Sequence, residues 1–66
     1  MDIIEIEQQL ETINEELDTL RKNSVEYETI MNESTDHVIK EAMVTALRAN
    51  QNMINGNLEL IKLLES

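Results

Sequence analysis

Few side chains in this 66-residue sequence combine the reactivity and spacing that chemistry needs. His37 is the single histidine, and Glu41 follows it at i,i+4, so both fall on one face of a helix. Glu33 and Asp36 are near in sequence. A metal centre needs several ligands converging on one point, and this group offers two weak ones. The plainer reading is a solvent-exposed histidine near a helix start, and no metal or other cofactor is expected. Ser24, Ser34, Thr35 and Thr45 carry hydroxyls, but no histidine stands as their base in a recognisable motif. The glutamates pair at helical spacing on a convex face. Without a cleft to exclude water, such pairs are not tuned as acid and base. No glycine-rich phosphate loop occurs. The expected class is a non-enzymatic chain with no cofactor.

Composition bounds what could position these groups. There is one Gly, no Pro, no Cys and a single aromatic residue, Tyr27. Disulfides and cysteine-ligated metals are thereby excluded, and sandwiches or turn-rich folds are disfavoured. The chain allows one domain, residues 1–66, and one this short is marginal alone. The net charge of −9 is uneven. Residues 1–34 hold ten acids and two bases, whereas residues 35–66 hold four acids and three bases. This acidic balance argues against binding nucleic acid or an anionic membrane. No apolar run is long enough for membrane insertion, and no signal-peptide pattern appears. The default expectation is a cytoplasmic protein.

In the first half, Asp2 can cap a helix, with Glu5 three residues on as in a capping box. Ile3, Ile6, Leu10, Ile13, Leu17 and Leu20 follow at spacings of 3 and 4, a heptad seam. It continues loosely through Tyr27 and Met31 if Ser24 is tolerated, with a possible kink near Asn23. Asp18 and Lys22 can pair at i,i+4. The pattern predicts a helix over about residues 2–31. The segment 32–36, Asn-Glu-Ser-Thr-Asp, concentrates residues that prefer caps to helix interiors. A turn is expected at about 32–35, with Ser34 or Thr35 capping a second helix over about 36–65. The fold class is all-α, an antiparallel, coiled-coil-like two-helix hairpin completed by an oligomer or a partner chain. One continuous helix of about 96 Å is the alternative.

The second helix carries two adjoining stripes. Ile39, Ala42, Ala46, Ala49, Met53 and Leu60 form one; Met43, Leu47, Ile54, Leu58 and Ile61 form the other. Asn50 and Asn57 lie between them, where an Asn either fixes register and oligomer state or marks partial exposure. Together the stripes span roughly half the helical wheel, against about 100° for a helix that meets one surface. The small-residue stripe is expected to join Ile3 to Leu20 in the hairpin seam. Met43, Leu47, Asn50, Ile54, Leu58 and Ile61 are then the expected interface with another helical protein. Gly56 beside the small stripe marks either a close backbone approach or a local bend. Met43 and Met53 serve either core packing or an adaptable binding surface.

The stretch from Ala46 to Asn55, Ala-Leu-Arg-Ala-Asn-Gln-Asn-Met-Ile-Asn, resembles the middle of the second helix in the small co-chaperones of type III secretion needle subunits. By pattern the resemblance covers most of the chain, and by sequence about ten residues. It implies a cytoplasmic hairpin that pairs with a helical-repeat chaperone and keeps a needle subunit soluble until export. In that setting Met43, Leu47, Ile54 and Ile61 would face the larger chaperone. The chain departs from the family in a turn without Gly and in an unusually acidic first helix. Two other classes remain: an acidic inhibitor or nucleic-acid mimic of phage type, and a structural homodimeric coiled coil.

Overall fold

The computed structural model describes residues 2–66. Two helices, α1 (Ile3–Glu33) and α2 (His37–Glu65), fold back on each other as a helical hairpin. The single-helix alternative is thereby excluded. Asp2 caps α1, its carboxylate accepting from the Ile4 N–H at 3.4 Å. α1 runs unbroken through Asn23 and extends two residues past Met31. Thr12, Thr19 and Thr29 donate their hydroxyls to carbonyls four residues back, which accommodates them on an exposed helix face.

The reversal takes three residues, Ser34 to Asp36. The Ser34 N–H donates to the Ile30 carbonyl at 3.0 Å and closes α1. The Ser34 hydroxyl then accepts from the Asp36 N–H at 3.1 Å. Asp36, rather than Ser34 or Thr35, caps α2, its carboxylate accepting from the Val38 N–H at 2.8 Å. A carboxylate at this position also opposes the positive end of the helix.

The hairpin is one layer thick, with extents of 51 × 15 × 11 Å. Its core is small. Leu17, Leu20 and Ile54 are buried, with Ile13 and Ile61 packed against them. The radius of gyration is 15.3 Å, against about 11 Å for a compact chain of this length. The molecule exposes 5091 Å², where a compact monomer of its 7.6 kDa mass exposes about 4,300 Å².

Candidate protein-docking face

The side of α2 that meets α1 is set by a polar group. Asn50 is 2% exposed, less than Leu17, Leu20 or Ile54. Its Nδ2 donates to the Leu20 carbonyl at 2.6 Å and to the Ser24 hydroxyl at 2.6 Å. A carbonyl has two lone pairs, so Leu20 can accept a side chain in addition to its helical bond. Burying an amide without partners would cost about 1–3 kcal/mol. Here both partners come from α1, and they are available in one register only. Ser24, which interrupts the apolar run of α1, is there to meet Asn50.

With Asn50 inside, the seam of α2 is Met43, Leu47, Asn50, Ile54, Asn57, Ile61 and Leu64, all buried or half-buried, at spacings of 4 and 3. Facing it on α1 are Ile6, Leu10, Ile13, Leu17, Leu20, Ser24, Tyr27 and Met31, also all buried or half-buried. The two stripes of α2 therefore exchange the roles read from the sequence. Met43, Leu47, Asn50, Ile54 and Ile61, expected to meet a partner, pack inside the hairpin. Leu58 lies to the far side of the seam and is 43% exposed. Of the residues expected in the seam, Ile39, Ala42, Ala49, Met53 and Leu60 are exposed, and Ala46 is half-buried. The cause is volume and polarity together: the branched side chains of Ile54 and Ile61 pack with Leu17 and Leu20, and that rotation of α2 satisfies Asn50. Ile3, in the first turn of α1, is also exposed. Asn57 is placed less well, since its Nδ2 is buried without a hydrogen-bond partner.

The exchange leaves a second ladder uncovered. Ile39, Ala42, Ala46, Ala49, Met53, Gly56, Leu60 and Leu63 repeat at 3 and 4 along the whole of α2. This is as strict as the seam and about 100° away from it. Val38 and Thr45 border it. Across a sector about 120° wide, from Ile39 through Met53 to Leu63, no charged residue occurs. Gly56 belongs here, and a Cβ added to it would meet nothing within 4 Å. Close approach to α1 therefore does not account for this glycine. Towards the open end of the hairpin the ladder borders a groove of about 450 Å³, where Leu60, Leu63 and Leu64 face Gln9, Thr12 and Ile13.

The groups first considered for chemistry are dispersed. His37 Nε2 and a Glu41 carboxylate oxygen stand 3.3 Å apart in the first turns of α2, both well exposed. Among the described residues, no three His, Asp or Glu side chains converge on a point that could hold a metal. The Asp18–Lys22 pair forms at 3.5 Å on the outer face of α1 and is also exposed. Among the described residues, no helix is long and apolar enough to cross a membrane.

Compared with known proteins, the chain matches no family model, no curated protein and no solved structure. The missed signal was in the sequence: counting Asn50 and Asn57 as seam positions gives an uninterrupted heptad from Met43 to Leu64 and assigns the other ladder to the outside.

Proposed function

We propose that this chain is a non-enzymatic protein-binding module, an adaptor or co-chaperone in kind, which works by burying the outer ladder of α2 against a helix of another polypeptide. One observation carries the reading: an uncharged, heptad-spaced apolar face along α2 that α1 leaves uncovered. A helix lies in such a face by inserting side chains every third and fourth residue. The resemblance to the needle-subunit co-chaperones of type III secretion is one cytoplasmic setting for this action. There the docking residues would be Ala42, Ala49, Met53 and Leu60 rather than Leu47 and Ile54. The acidic face of α1 keeps the module soluble in this reading. Were it instead a nucleic-acid mimic, α1 would be the active surface and its complexes would dissolve in salt.

The test is retention of host proteins at moderate salt by the chain and by its Ala49→Glu variant. Ala49 is exposed, and Glu is a good helix former, so the hairpin should survive the change. Loss of a salt-resistant helical partner from the variant is the expected result. Equal retention by both chains would remove the outer ladder from the function.

A further inference from the structure

We infer that the helix occupying the outer ladder is α2 of a second copy of this chain, packed antiparallel across a two-fold axis. The inference rests on the reading of that ladder as a docking face and names its occupant.

Three observations lead to a second copy. The first is the pattern of sizes. In an antiparallel pair centred near Gln51, Ala42 faces Leu60 of the second copy and Ala49 faces Met53. Ala46 faces Gly56, and Ile39 closes the end against Leu63. Each two-fold layer then sets a large side chain against a small one or two small ones together, except at the ends. That is the complementarity that interdigitated packing requires. It is also self-complementary, as an isologous interface must be. A parallel pair would stack Ala42, Ala49 and Gly56 on themselves and leave gaps. Gly56, with open space around it in the single hairpin, gains a reason in the antiparallel layer with Ala46.

The second observation is charge. Each molecule carries −9, so like molecules repel over most of their surface. Within α2 three acids balance three bases, and the ladder sector carries no charge. Pairing through the ladder brings no charged residue into the α2–α2 contact, and the two-fold axis sets the two α1 helices on the same side of the α2 pair. At the free rim, on the side away from α1, Asn52 meets its own copy and Thr45 lies near Glu59 of the other, so no like charges face each other there. A basic partner would find its match on α1 instead.

The third is area. The hairpin exposes 5091 Å², about 800 Å² more than a compact monomer of its mass. A standard stable interface takes about 800 Å² from each partner. The ladder from Ile39 to Leu63 is about 36 Å long. Along it, α2 of the second copy would bring Ile39 to the groove beside Leu60 and Leu63.

The experiment is sedimentation of the full chain from about 1 to 500 µM, with helicity followed by circular dichroism. A mass of twice the chain is expected over most of this range. Ala49→Glu should raise the dissociation constant at least about 100-fold while the helicity at high concentration persists, because it sets an unpaired charge near the axis. Orientation is read with a short bismaleimide on Ala42→Cys and Leu60→Cys chains, since the native sequence has no cysteine. Cross-links between the two variants when mixed, and none within either alone, support the antiparallel pair. Self-linking of Ala42→Cys would overturn it, because antiparallel copies hold that position about 27 Å apart. A folded monomer at the highest concentration would also overturn it. In that case the docking reading still stands if Ala49→Glu loses a host partner, and falls if it does not.

Discussion

α1 and α2 have nearly equal length, and each gives one heptad stripe to the other, yet they treat the remaining surface differently. Away from the seam, α1 is acidic: nine acids and two bases lie within Ile3–Glu33. Its exposed apolar residues, Ile3, Ile4, Val25 and Ile30, are scattered around the helix. α2 is neutral, and five of its exposed apolar residues (Val38, Ile39, Met53, Leu60 and Leu63) share one sector. Hydrophobic matter scattered singly is normal on a surface, whereas a contiguous patch marks an interaction site. One helix is finished by its hairpin partner and the other is not. The difference locates the incomplete side of the molecule without reference to any ligand.

The comparison predicts that the two helices share stability in their seam and part company outside it. The largest effect belongs to the shared core. Leu17→Ala on α1 and Ile54→Ala on α2 should each cost about 2–5 kcal/mol, and in so small a core either change should abolish most helicity in thermal melts. A loss confined to one variant would show that the seam is not shared. Asn50→Ala comes next, at about 1–3 kcal/mol. Asn50→Leu should hold or raise the melting temperature while loosening register, seen as broadened or doubled backbone resonances for α1 near Ser24. Sharp single resonances in that variant would assign register to the apolar residues alone. The smaller effect is at the connection: Asp36→Ala should lower stability by about 1 kcal/mol through loss of the α2 cap. Hydrogen exchange should place the fraying at the first turn of α2 and leave the end of α1 protected.

The all-helical hairpin, its turn between residues 32 and 36 and the α1 seam were all legible in the sequence. For α1 the reason is simple, since the five seam positions from Ile6 to Leu20 are all Ile or Leu, and only Ile3, in the first turn, falls outside the contact. α2 carries two equally regular ladders, and hydropathy alone favours the one without Asn. The correct one depends on the Leu20 carbonyl and the Ser24 hydroxyl, which lie 30 and 26 residues from Asn50. A buried amide is acceptable only when its partners are in place, and their position is a property of the folded pair. The cap was off by one or two residues for a related reason. Ser34, Thr35 and Asp36 are all competent caps, and the division of labour between them follows from the tightness of the three-residue reversal.

The charge asymmetry between the helices also bears on the rate of encounter. With the acidic centre on α1 and the helix axes about 9 Å apart, each hairpin carries a transverse electric dipole. Two such molecules approaching at random exert a torque on each other that turns the acidic backs away. The α2 sides, neutral in sum, therefore meet first, more often than chance orientation allows. Added salt would weaken both the torque and the general repulsion, and it would slow the rotation while easing the approach.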